Sequence, residues 1–207
     1  MTRAEDRVGF PLVLASGNPG KVGEFARVFG DRFRVESLPT GVELPAEIGT
    51  TYAENAGLKA RAVFHALGGL VAVLADDSGI EVDALSGRPG VLSARYAGEH
   101  AGDHANVAKL LADLEGVEDR RARFVCALVV LLPGGREACA AGTLEGEVAL
   151  EPRGGSGFGY DPVFRPLGWE MILAEASGEE KDVVSHRGDA VRHLLAQLAC
   201  AWDQSSG

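Results

Sequence analysis

Two adjacent carboxylates, Asp76-Asp77, follow the apolar run Leu70-Val71-Ala72-Val73-Leu74-Ala75 and precede Ser78-Gly79. The run lacks polar alternation, as expected of a strand covered on both faces, so its C-terminal end would present two stiffly held acids. Such acids need a counter-charge. Mg2+ held through one or two carboxylates, waters and substrate phosphate would supply it, and Asp77 is placed to orient a water for attack. The alternative is a strand-ending Asx turn with both acids in water. Asp76, Asp77 and Glu47 are therefore the candidate metal ligands. Glu47 lies in a loop with no evident structural duty, whereas Glu54 has capping-box spacing to Thr51.

Two further segments suit a polyanion. Ser16-Gly17-Asn18-Pro19-Gly20-Lys21 separates a short apolar run from an amphipathic stretch, the place where backbone N–H groups and a helix dipole favour an anion and Lys21 adds a point charge. It lacks Walker A spacing, and a plain strand-to-helix turn is the competing reading. Lys181 and the Ser185-His186-Arg187-Gly188 run place three cation-forming side chains near a helix start, where they would clamp phosphate or read a carbonyl; the alternative is solvated charge. Ser156-Gly157-Phe158-Gly159-Tyr160-Asp161-Pro162 suits a flat ring, with Phe158 to stack and Asp161 or nearby backbone to bond its edge. Read alone, it is equally a glycine-rich turn with both aromatics in the core.

The elements that must position these groups follow from periodicity. Residues 10–15 form a short strand, and Val22, Phe25, Ala26, Val28 and Phe29 an amphipathic helix. Residues 33–38 form a second strand, 39–49 a loop, and a helix runs from a Thr51 cap to about Leu67, stopped by Gly68-Gly69. The acid-bearing strand covers 70–75, residues 87–98 are loop-rich, and Val107, Leu110, Leu111 and Leu114 mark a helical stripe. Residues 122–132 and 137–141 make a hairpin around Pro133-Gly134-Gly135, with 143–150 as a third antiparallel strand. A last helix starts near His186 with Ser185 as cap and carries Val191, Leu194, Leu195, Leu198 and Trp202 on one side, with His193 outside. Fraying is expected only at Met1–Asp6 and Gln204–Gly207.

Composition narrows the classes. With 207 residues, 46% hydrophobic, the chain suits one mixed α/β domain, and 30 acids against 20 bases leave a net charge of −10 that repels a nucleic-acid backbone. No apolar run is long enough for a membrane span and Met1–Phe10 has no signal-peptide core, so a cytoplasmic protein acting on neither nucleic acid nor membrane is expected. Cys126, Cys139 and Cys200 have no metal-ligand spacing and read as reduced thiols, Cys126 in the core. His65, His100, His104 and His193 suggest no zinc site, and no G-x-S-x-G elbow supports a covalent nucleophile.

Taken in order, several motifs resemble one family. They are the Ser16–Lys21 loop with Glu24, Glu54-Asn55-Ala56, Ala75-Asp76-Asp77-Ser78-Gly79, Gly-Arg-Pro-Gly-Val-Leu-Ser-Ala-Arg-Tyr at 87–96, Gly157-Phe158-Gly159-Tyr160-Asp161-Pro162, Glu180-Lys181 and Ser185-His186-Arg187-Gly188. From Leu12 to about Leu198 the chain is similar to the inosine triphosphate pyrophosphatases, which act on non-canonical purine nucleoside triphosphates. The resemblance implies an elongated mixed central sheet flanked by helices, in two lobes with a cleft between them. It implies a Mg2+-dependent homodimer converting ITP, dITP and XTP to monophosphate and pyrophosphate. Carried over by position, Ser16, Gly17, Asn18, Pro19, Gly20 and Lys21 would bind triphosphate. Asp77 would be general base and metal ligand, and Ser78 would touch substrate. Phe158, Gly159, Tyr160 and Asp161 would hold the base, with Lys181, His186 and Arg187 completing the pocket. The residues before Phe10 stand outside the match.

Three rivals remain. A pyrophosphatase for pyrimidine or modified nucleotides would keep the phosphate machinery and change the base pocket. A regulatory nucleotide-binding module would bind without hydrolysis, against which stands the cost of paired carboxylates beside bare phosphate. A Rossmann dehydrogenase is disfavoured because no G-x-G-x-x-G follows the first strand.

Overall fold

A computed structural model describes residues 9–203, with side chains to residue 199. The expectations for Met1–Asp6, Gln204–Gly207 and the side chains of Cys200 and Trp202 lie outside the described residues. Six strands form one mixed sheet in the order β2-β1-β3-β4-β5-β6. In chain order they are β1 (Phe10–Leu14), β2 (Phe33–Glu36), β3 (Ala72–Val82), β4 (Arg121–Leu131), β5 (Glu137–Val148) and β6 (Phe164–Pro166). The helices are α1 (Pro19–Phe29), α2 (Tyr52–Ala66), α3 (Asp103–Asp113), α4 (Gly178–Val184) and α5 (His186–Asp203). No helix among the described residues is long and apolar enough to cross a membrane.

The chain divides into two compact units. The first holds residues up to Asp76, Ala127–Ala140 and those from Val191 on. Its core joins Val13, Ala15, Val73, Ala75, Val129 and Leu131 from the strands to Ala56, Ala60, Val63 and Phe64 of α2. The second holds Asp77–Cys126 and Ala141–Ala190, and packs Ile80, Val82, Ala122 and Phe124 against Val107, Leu110 and Leu114 of α3 and against Tyr160, Val163, Phe164 and Leu173. The stripe expected at 107–114 is thus real, and Cys126 is buried as expected.

Caps decide where helices begin. Asn18 Oδ1 accepts from Gly20 N at 2.8 Å and starts α1, with Pro19 as its first residue. Thr51 and Glu54 form the foreseen capping box on α2, whose end meets Gly68 and Gly69 at φ of 69° and 71°. Ser177 and Glu180 form another box on α4, a helix the periodicity missed because it spans only 7 residues.

Two strand boundaries differ from expectation. The acid-bearing strand does not stop at Ala75 but runs on to Val82, so Asp76, Asp77 and Ser78 lie mid-strand. A carboxylate is tolerated there because Asp76 is neutralised by a lysine, described below. The expected third strand at 143–150 is the far half of β5, and β5 instead pairs antiparallel with β6, Val148 opposite Phe164. Gly142, between the two expected strands, is a close approach. A Cβ there would collide with Ala190 N and His186 O in the first turn of α5.

Candidate active site

In the first unit, strand pairing places the phosphate candidates. β1 runs parallel to β3 with Leu14 opposite Leu74, and Ala15 N donates to Leu74 O at 2.8 Å. Where β1 ends, β3 continues, so the loop at 16–21 emerges beside residues just past Leu74. Lys21 Nζ accordingly reaches Asp76 Oδ2 at 2.8 Å, and Asp76 has no exposed surface. The loop itself is less open to an anion than its composition suggests. Ser16 N donates to Leu14 O at 2.9 Å, Asn18 N to Ser16 Oγ at 3.2 Å and Gly20 N to Asn18 Oδ1, so three of its amides are already bonded. Gly17 faces open space, and Pro19 has no N–H to offer. The one charged side chain of residues 16–21 is that of Lys21.

Glu47 is also tied to a cation: Lys59 Nζ donates to its Oε1 at 2.6 Å. Sequence reasoning missed Lys59. Its signal was present, because positions 56, 59, 60 and 63 share one face of α2 and a lysine on that otherwise apolar, buried stripe needs a partner. Gly49 N donates to Asn55 Oδ1 at 2.8 Å, pinning the loop that carries Glu47 to α2. Glu54, exposed, accepts from Thr50 N, Thr50 Oγ and Thr51 N, and these bonds hold its carboxyl below the ordinary value of 4.5.

Strand geometry separates the two aspartates. Successive side chains of a strand leave on opposite faces, so Asp76 and Asp77 do not stand side by side as their spacing in the sequence suggests. Asp77 is 6% exposed and Ser78 half-buried.

In the second unit, the glycine-rich segment is shaped by two carboxylates. Asp161 Oδ2 accepts from Phe158 N at 2.9 Å and from Lys181 Nζ at 2.6 Å. Its approach requires Gly157, where φ is 82° and any Cβ would strike the Asp161 carboxylate. Gly159 N donates to Asp103 Oδ2 at 2.6 Å, a partner 56 residues away with no sequence signal. Phe158 is half-buried, with Lys181 Nζ 4.8 Å and the Arg187 guanidinium carbon 5.0 Å from its ring centroid. Tyr160, by contrast, belongs to the core. Its hydroxyl donates to Ser93 O at 2.8 Å, and burial, with Tyr96 and Asp103 nearby, pushes the phenol well above its usual range. Tyr160 therefore supports the loop from below instead of lining it.

The remaining candidates, His186 and Arg187, sit at the start of α5. His186 is buried and stacked on Phe124, with centroids 4.8 Å apart and planes at 16°. Arg187 is 4% exposed. Ser185 Oγ accepts from Gly188 N at 2.9 Å, the capping role expected of it. Lys181, Arg187, Phe158 and Asp161 thus form one contiguous cluster: a flat ring flanked by obligate donors, as a pocket for a ring carrying carbonyl oxygens requires.

The chain is similar to known proteins along most of its length. The Ham1 family profile matches residues 12–197. A protein of Geobacillus kaustophilus named dITP/XTP pyrophosphatase is 49% identical over 201 residues, covering 95% of this chain and 96% of its own length. The protein of the same name from Bacillus subtilis is 46% identical over 191 residues, covering 90% and 96%. Among solved structures, the Staphylococcus aureus Ham1 protein aligns with a TM-score of 0.80 at 42% identity, covering 92% of this chain and 99% of that one. A Coxiella burnetii HAM1 protein aligns at 0.81 and 38%, covering 92% and 98%.

Proposed function

Because the chain belongs to the Ham1 family, we propose that it hydrolyses the non-canonical purine nucleotides dITP, XTP and ITP to monophosphate and pyrophosphate. It does so with Mg2+, as a cytoplasmic homodimer that clears these nucleotides from the pool. The observation that carries this reading is the Lys21–Asp76 pair, in which a loop cation is fixed by a fully buried strand carboxylate one residue from Asp77.

Attack of water at the α-phosphorus with pyrophosphate leaving requires neutralisation of the charge on the leaving oxygens and a base for the water. Lys21, already oriented by Asp76, meets the β and γ phosphates without reorganising. Asp77 orients the water and takes its proton. Ser16, Gly17 and Ser78 offer further contacts to phosphate oxygens. Mg2+, when bound, supplies additional charge neutralisation. The donor set fits it: one carboxylate with waters and phosphate oxygens suffices, and Asp77 would be that ligand, with Asp76 and Glu47 as the further acids.

The base is read by donors. Hypoxanthine and xanthine carry an oxygen where adenine carries an amino group, and Lys181 and Arg187 can only donate. The amides of Phe158 and Gly159 are bonded to Asp161 and Asp103, so side chains, with His186, perform the reading. A lost bond plus an unpaired buried donor costs about 2–4 kcal/mol, or roughly 30- to 1000-fold against ATP.

The test is a panel of purine and pyrimidine triphosphates with Mg2+, assaying pyrophosphate and free phosphate separately. ITP, dITP and XTP should yield pyrophosphate alone, and reaction in ¹⁸O water should label the monophosphate. Label in pyrophosphate instead would mean attack at the β-phosphorus. Comparable kcat/KM for ATP and ITP would remove the base assignment, and binding without turnover would make the protein a regulatory module. Light scattering of the purified chain tests the dimer.

A further inference from the structure

The glycine-rich loop has a second anchor, Asp103, which the proposed mechanism does not use. Asp103 is the first residue of α3, where the helix dipole favours a carboxylate, and its Oδ2 accepts from Gly159 N at 2.6 Å. The adjacent amide, Phe158 N, is held by Asp161, and Tyr160 is held through its hydroxyl on Ser93 O. Three consecutive residues are thus fixed by three partners. Only one of those partners, Asp161, also touches a cation of the pocket, Lys181. The partner Ser93 is itself immobilised, accepting from Ile80 N at 2.9 Å and donating to Gly90 O at 2.6 Å. Asn106, one turn into α3, accepts from Ala97 N at 2.8 Å and donates to Ala94 O at 3.1 Å, so α3 and the 90–97 segment form one frame.

Gly159 has φ of 63° and open space where a side chain would stand, so it has no side chain of its own to anchor it. Without Asp103 the Phe158–Gly159 peptide is left with the long 3.3 Å bond from Asp161 N to Phe158 O, and Phe158 would lose the orientation in which Lys181 and Arg187 meet its ring. We propose that Asp103 is a positioning residue for base discrimination, acting through the Gly159 N–H to set the plane of Phe158 between the pocket's cations. The inference rests on the reading of this loop as the base site.

The experiment pairs a structural with a kinetic readout on the full chain. In ¹⁵N-labelled protein, Asp103→Ala should move the Gly159 amide resonance and speed its exchange by roughly 10-fold, the loss of one charge-assisted bond. With saturating Mg2+, the same variant should raise KM for ITP by roughly 10-fold and reduce the ITP-to-ATP preference by a similar factor. Its kcat should stay within about twofold, since the proposed hydrolysis gives Asp103 no role at the phosphates or the attacking water. Asp103→Asn keeps an acceptor oxygen and should recover most of both effects; it also serves where the alanine variant fails to fold. An unmoved Gly159 amide, an asparagine variant no better than alanine, or an unchanged base preference overturns the proposal. Wild-type protein inactive on every triphosphate would sink the functional reading while leaving the amide result standing.

Discussion

The Lys21–Asp76 and Lys181–Asp161 pairs have the same chemistry and opposite construction. In the first, the carboxylate belongs to a strand, fully buried mid-way along β3, and the lysine to the first turn of α1. In the second, the carboxylate belongs to an irregular glycine-rich segment and the lysine to the short helix α4. Asp76 lies on a regular strand, two residues past the last pairing of β3 with β1 at Leu74, so its backbone is set by the sheet and its charge by Lys21. The segment before Asp161 lies in no strand, and side-chain carboxylates bond individual amides there in addition to short backbone turns. A site that meets a charge common to all nucleotides tolerates a simple fixed cation. One that must separate rings differing by one atom needs each backbone plane set, and here this is done with separate tethers.

This contrast can be broken experimentally, and the largest effect concerns the base. Asp77→Asn preserves volume but removes the charge, and should lower turnover at least about 100-fold; steady-state rates near those of the wild type would remove Asp77 from catalysis. Next, Lys21→Met should cut kcat/KM by roughly 30-fold, and equally for every triphosphate, because it removes one charge-assisted contact to phosphate. Lys181→Met should cost roughly 10-fold and unequally, most for ITP and least for ATP. If both variants change all substrates alike, the two pairs do the same job and the comparison fails.

A smaller effect is structural. Gly142→Ala forces a Cβ into the first turn of α5 and should destabilise by about 1–3 kcal/mol, measured by urea unfolding. Because His186 O is one of the atoms struck, base preference should weaken as well. The smallest is a pH effect in the first unit. Glu54 has its folded carboxyl lowered by bonds from Thr50 and Thr51. The stability this contributes is therefore present above its ordinary value of 4.5 and lost as pH falls through the lower folded one. Melting temperatures from pH 7 to 3 should fall more steeply in the wild type than in Glu54→Gln, and parallel curves would discount the capping box.

Much of this was legible in the sequence. The Thr51-to-Glu54 spacing specified the start of α2, and the apolar stripe at 107–114 specified α3, because capping and periodicity are local properties. Two features misled. The expected strands stop at 141 and restart at 143 around Gly142, a glycine that in a strand signals either a turn or a close approach, and only the packing of α5 tells which. Asp76-Asp77 resembled a strand end because charge is rare inside a buried strand, and the lysine that permits it lies 55 positions earlier.

The residue types alone determined what chemistry is available: acids for a metal and a water, lysines and an arginine that can only donate, and a phenylalanine to stack. Chain order likewise determined which loop follows which strand. Tertiary structure decided who meets whom. The register of β1 on β3 delivers Lys21 to Asp76, α2 turns Lys59 towards Glu47, and α3 presents Asp103 to Gly159. These partners are separated by 55, 12 and 56 positions, beyond the reach of any local rule. A hydrogen bond or an ion pair depends on distances of a few ångströms, and in a folded chain those are set by packing, not by sequence separation.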